Sequence, residues 1–77
     1  MNSAPLPSAI RAQARAMFLN YLAAQNGGKV AVFETRDFMT DRPLNEPKFI
    51  GVAESKTAAR NAFGFFYVGN NCEVISL

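Results

Sequence analysis

A chain of 77 residues has room for one two-layer core, and at this length folding removes only roughly 60% of the unfolded surface from water. Hydrophobic residues make up 49% and charged residues 18%, enough apolar surface to fold, while the absence of His and Trp and the presence of one Cys, Cys72, exclude a His-based triad, a His or multi-Cys zinc site and an intramolecular disulfide. A net charge of +2 and a pI near 9.0 permit an anionic partner without requiring one.

Residues 1–8 carry two prolines and small residues around one Leu, the composition of a flexible leader that ends in a helix cap at Ser8. Beyond it Ile10, Ala14, Met17, Phe18, Tyr21 and Leu22 recur at helical spacing and share about a 120° arc. A first helix is expected there, ended by Gln25-Asn26-Gly27-Gly28, because glycine reaches positive φ without a Cβ clash.

Residues 29–38 (KVAVFETRDF) are β-branched and aromatic with partial alternation and predict a strand. Residues 39–47 (MTDRPLNEP) hold two prolines and read as a loop, and residues 48–54 (KFIGVAE) read as a second strand. Gly51 inside that strand marks a bulge or a close backbone approach. Together these predict a long-looped hairpin, with a short third strand hidden in 39–47 or none.

Ser55 is the second cap, followed by one helix that places Ala58, Ala59, Ala62, Phe65 and Phe66 on its inner face with Lys56 and Arg60 opposite. Phe63, Phe65, Phe66 and Tyr67 are expected to fill a core that has no Trp, with Phe63 or Tyr67 left over as an apolar patch for a partner. Gly69-Asn70-Asn71 ends this helix, leaving residues 72–77 as an apolar tail that packs or frays. The expected fold is therefore α+β: helix, strand, strand, an optional further strand, helix, with both helices on one face of a small antiparallel sheet. The domain covers residues 9–71.

The most specific stretch runs Gly51-Val52-Ala53-Glu54-Ser55-Lys56-Thr57-Ala58-Ala59-Arg60-Asn61-Ala62. It resembles the double-stranded RNA-binding domain, in which a last strand with a G-x-G-x pattern leads into a helix beginning S-K-K-x-A-K-x-A-A. Phe49-Ile50-Gly51-Val52-Ala53 is similar to the strand that precedes this helix in the amino-terminal domain of RNA helicase A-type proteins. Gly51, Ser55, Lys56, Ala59, Arg60 and Ala62 match the pattern, while Thr57, Ala53 and Phe63 depart from it and the family's minor-groove loop has no counterpart.

The resemblance implies a double-stranded RNA partner. Cations at i and i+4 beside the unpaired N–H groups of a helix start would meet the phosphates that line the narrow A-form major groove. It implies phosphate contacts from Lys56 and Arg60 with Ser55 and Thr57 beside them, and minor-groove contacts from Gln13, Asn20 and Gln25 on the first helix and from Thr40 and Arg42 in the loop. Arg11 and Arg15, a second i, i+4 pair, read as charges at the rim of the apolar arc.

Two functional expectations follow. The first is non-catalytic binding of duplex RNA by shape, as a module of a larger RNA-processing or helicase protein. The second is a protein-interaction module, dimerising or adapting through Phe63 and Tyr67, favoured by the low net charge, by Thr57 and by the aromatic excess of the second helix; a small inhibitor ranks third. Neither an enzyme nor a cofactor is expected. No apolar stretch reaches the roughly 18 residues of a membrane helix, so no membrane contact is expected, and the unpaired thiol suits an intracellular compartment, cytoplasmic or nuclear.

Overall fold

The computed structural model describes residues 8–77. Its elements run α1 (Ser8–Asn26), β1 (Val30–Arg36), β2 (Pro43–Ala53), α2 (Lys56–Phe63), α3 (Phe65–Asn71) and β3 (Cys72–Ser76). The class is α+β with an antiparallel sheet of order β2-β1-β3. The leader over residues 1–7 lies outside the described residues, and Ser8 is the first residue of α1 where the sequence places it as the cap.

Alanines at 9, 12, 14, 16, 23 and 24 give α1 strong intrinsic helicity. Its end follows from residues 26–28: the Asn26 side-chain amide donates to the Leu22 carbonyl at 3.1 Å, and Gly28 takes φ +87°. The chain then enters β1, where Ala31, Val32 and Phe33 are successively buried, at 0%, 0% and 5% exposure. Three consecutive buried residues mean that both faces of this central strand are covered.

Strand β2 pairs antiparallel with β1 and starts at Pro43, five residues before the expected Lys48. Val32 faces Gly51 and Phe33 faces Phe49, so Ile50 is the extra residue of a bulge; a second slip falls between Lys48 and Pro43. The connection shrinks to residues 37–42. Asp37 organises it by accepting from the Met39 and Thr40 N–H groups at 2.7 and 3.0 Å, and Asp41 takes φ 56°.

The third strand lies neither in 39–47 nor between the helices. It comes from the C-terminal residues, which pair antiparallel with β1 from Cys72 opposite Glu34 to Ser76 opposite Val30. The expected single second helix is two helices, because Gly64 adopts φ 115°, ψ 125°, a conformation that side chains disfavour.

Register decides the layers. Directly paired residues share a face, so Ala31, Val52 and Ile75 point one way and Val32, Gly51 and Val74 the other. On the first face Leu22 of α1 is buried with Ala31 and Phe33, and Leu19, Val52, Ile75 and Leu77 pack against them. On the second face the Phe63 ring lies over Gly51, and Ala59 and Val68 are buried. Helix α1 and the α2–α3 pair therefore cover opposite faces of the sheet, where the sequence reading has both helices on one face.

Candidate functional site

The first turn of α2 forms as the spacing predicts. Ser55 is extended at φ −158°, ψ 172°, and its hydroxyl oxygen accepts from the Ala58 N–H at 3.1 Å, satisfying one of the helix's unpaired donors. Lys56 and Thr57 are exposed there. Arg60 is not Lys56's equal: its guanidinium carbon sits 5.0 Å from the centre of the Phe65 ring, and its Nε is buried with no hydrogen-bond partner among the described residues. The cation is drawn back over the α2–α3 junction. Beside this turn Lys29 and Glu54 form an ion pair at 3.3 Å.

The remaining residues matched to RNA contacts are dispersed. Gln13, Asn20 and Gln25 are exposed on α1, in the layer across the sheet from Lys56 and Arg60. Thr40 and Arg42 are exposed in the 37–42 connection, at the far end of the hairpin from the Ala53–Val30 pair that leads into α2. In that connection Arg36 donates to the Asp41 carbonyl at 2.7 Å and pairs with its carboxylate at 3.4 Å.

A tighter convergence lies between α1 and the hairpin. Phe18 from α1, Phe33 from β1 and Phe49 from β2 meet with ring centres 5.1, 5.5 and 6.4 Å apart, in edge-to-face or tilted geometry. They floor a cleft of about 250 Å³ walled by Ala14 and Pro47, with Arg11, Arg15 and Glu46 at its mouth. Phe18 and Phe49 remain 37% and 39% exposed, and Met17 and Tyr21 on the same helix are 65% and 57% exposed. Among the described side chains of the arc read from sequence as core-facing, Leu22 is buried while Ala14, Met17, Phe18 and Tyr21 are exposed, because a three-stranded sheet is too narrow to cover them. The cleft's sequence signals are scattered over three elements, so spacing within any one of them does not reveal it.

The second aromatic group departs from expectation at Phe65 and Phe66. Phe65 and Phe66, expected inside, are 59% and 76% exposed and stack edge-to-face at 5.4 Å. Phe63 and Tyr67, expected in the core with one or the other left over as a partner patch, are both half-buried: Phe63 covers Gly51, and Tyr67 meets the Phe38 ring at 6.0 Å. Burial, then the neighbouring Cys72 and Glu34 side chains, hold the Tyr67 phenol well above its ordinary value of 10. Burial likewise pushes the Cys72 thiol up, against the pull of its hydrogen bond with Tyr67. At neutral pH the thiol is protonated and a poor nucleophile.

No helix among the described residues is long and apolar enough to cross a membrane, and no three potential metal-ligating side chains converge among them. Comparison with known proteins returns nothing: no family model, no curated protein and no solved structure matches this chain.

Proposed function

We propose that the chain is a non-catalytic protein-interaction module whose working surface is the cleft between α1 and the hairpin. The observation that carries this reading is the ring cluster of Phe18, Phe33 and Phe49, in which Phe33 is buried while Phe18 and Phe49 are left partly open to solvent in a cleft also lined by two guanidiniums and one carboxylate. Apolar rings that a small protein leaves in contact and uncovered mark an interaction surface, and a cleft of about 250 Å³ takes one large side chain, the kind of anchor that dominates protein interfaces. Arg11 and Arg15 outweigh Glu46 at the mouth, which favours an anchor flanked by acidic residues.

Selection of displayed peptides against the whole chain tests this. Enriched peptides carry an aromatic or aliphatic anchor next to Asp or Glu, and their affinity falls at least tenfold with Phe49→Ala and with Arg15→Glu while far-UV circular dichroism is unchanged. Peptides that ignore both substitutions refute the assignment.

A second reading, duplex RNA held at the start of α2, is supported by the capped turn and the exposed Lys56. Titration with an RNA duplex of about 20 base pairs, the matching DNA duplex and a single strand separates the two. Salt-sensitive, RNA-selective binding that is lost in Lys56→Glu/Arg60→Glu replaces the protein-interaction reading, and equal, negligible affinity for all three nucleic acids leaves it standing.

A further inference from the structure

The sheet has two edges that differ in kind. The β2 edge is blunted: Pro43 and Pro47 lack N–H groups, the ladder slips at Ile50 and again between Lys48 and Pro43, and exposed Glu46 and Lys48 lie along it. These are the devices that keep an edge from pairing with another strand. Among the described residues strand β3 shows neither a proline nor a slip. Its sequence, Cys-Glu-Val-Ile-Ser, contains no proline and one charge, and it pairs with β1 through five successive residues without a slip.

The hydrogen-bond phase of β3 identifies the groups it leaves open. Leu77 turns its main chain toward β1, donating to the Lys29 carbonyl at 2.9 Å and accepting from the Gly28 N–H at 3.2 Å. Alternation then directs Ile75 and Glu73 toward β1 and leaves the N–H and C=O groups of Cys72, Val74 and Ser76 pointing outward.

We infer that β3 pairs antiparallel with β3 of a second copy of this chain about a two-fold axis at Val74. In that register Val74 faces its own equivalent and Cys72 faces Ser76, so the three outward-pointing residues meet one another in about six new main-chain hydrogen bonds. No other centre on β3 matches all three. Glu73 falls opposite Ile75 instead of another carboxylate, so the seam has no directly opposed like charges. The axis stands perpendicular to the sheet, which extends it to six strands, ordered β2-β1-β3-β3-β1-β2, with α1 of both copies on one face. The contact is isologous and closed, and it buries the edge that, among the described residues, is the less protected of the two. A five-residue seam is at the small end of interface sizes, so the dimer is concentration-dependent. The cleft at Phe18, Phe33 and Phe49 takes no part in it.

Sedimentation velocity on the whole chain, from dilute solution to the highest concentration attainable, shows the mass rising from 8.4 kDa toward twice that value. Ser76→Pro removes an outward N–H while sparing the β1 ladder, so it weakens dimerisation at least tenfold with circular dichroism unchanged. Ser76→Cys places a thiol opposite Cys72 of the second copy, within the Cα spacing a disulfide spans; mild oxidation yields a covalent dimer whose peptide map contains a 72–76 link between chains. The same two positions within one chain are a full strand length apart and cannot close. A wild-type chain that stays monomeric throughout, or oxidised dimers lacking the 72–76 link, overturn the inference. A dimer that survives Ser76→Pro but dissociates with Phe49→Ala also overturns it and moves the contact to the cleft.

Discussion

Replacing Gly51 with alanine tests how α2 is seated on the sheet. A Cβ built at Gly51 lies 2.9 Å from the Cζ of Phe63, with the two Cε atoms at 3.5 and 3.7 Å. Carbon atoms in good contact sit about 3.5–4.0 Å apart, so the ring tip must retreat by roughly 0.6–1.1 Å. Phe63 has little freedom to do so: it is half-buried and is the last residue of α2, directly before the Gly64 turn. Overpacking of this kind costs about 1–3 kcal/mol, and alanine recovers about 0.5–1 kcal/mol of the conformational entropy that glycine loses in a strand. The net expectation is a loss of roughly 0–2.5 kcal/mol centred near 1 kcal/mol, and a loss of about 1 kcal/mol in a domain of this size lowers Tm by roughly 4–8 °C. Urea unfolding of Gly51→Ala, Phe63→Leu and the double variant reads the coupling directly. Because Phe63→Leu withdraws the ring tip, adding Gly51→Ala to it is neutral or stabilising, and the interaction energy between the two positions is about 1 kcal/mol or more. An effect of Gly51→Ala that is the same beside Phe63→Leu as in wild type refutes the argument that the ring of α2 rests on this backbone.

Two further outcomes are expected from single substitutions. Ser55→Ala leaves the Ala58 N–H without its 3.1 Å acceptor and lowers the unfolding free energy by about 1 kcal/mol; an unchanged urea midpoint means the hydroxyl does not cap α2. The Tyr67 and Cys72 groups are both raised in the folded chain, so the stability they contribute is fully present below their ordinary values of 10.0 and 9.0 and drains away above them, as the unfolded chain releases protons that the folded chain retains. Urea midpoints followed from about pH 8 to about pH 11 decline less steeply in Tyr67→Phe than in wild type, and parallel curves show that the buried phenol carries none of the alkaline dependence.

Much of the fold is legible where the signal is local. Helix α1 announces itself through the helical spacing of Ile10, Ala14, Met17, Phe18, Tyr21 and Leu22 and the Gln25–Gly28 stop, and Ser55 through its place before an apolar helical face; both signals lie within one continuous stretch of chain. Gly51 is legible as a point of close approach, but not what approaches it, since Phe63 lies twelve residues on. The misreadings share a cause in non-local geometry. Residues 72–77 are too short to declare a strand alone and become one by pairing with β1 some forty residues earlier. Gly64 stands inside a helical run with nothing beside it to show that its φ is positive, yet that angle re-phases everything after it, moving Phe65 and Phe66 outward and Tyr67 inward.

The partial alternation of β1 is the sequence feature from which the placement of the site follows. Ala31, Val32 and Phe33 can all be buried only if the strand is central and covered on both sides, and β3 with two separate helical layers meets both conditions. On one face α2 sits close, because Gly51 and the buried Ala59 present almost no side-chain bulk. On the other face α1 meets the sheet through long side chains, Leu19, Leu22 and Phe18 against Phe33 and Phe49. A single helix does not seal three strands at that spacing, and a cleft remains between the Arg11–Phe18 part of α1 and the hairpin at Phe33, Glu46, Pro47 and Phe49. The same division separates Gln13, Asn20 and Gln25 from Lys56 and Arg60, so that a partner spanning both sets has to reach around the edge of the sheet, whereas the partly exposed rings of Phe18 and Phe49 open on one cleft.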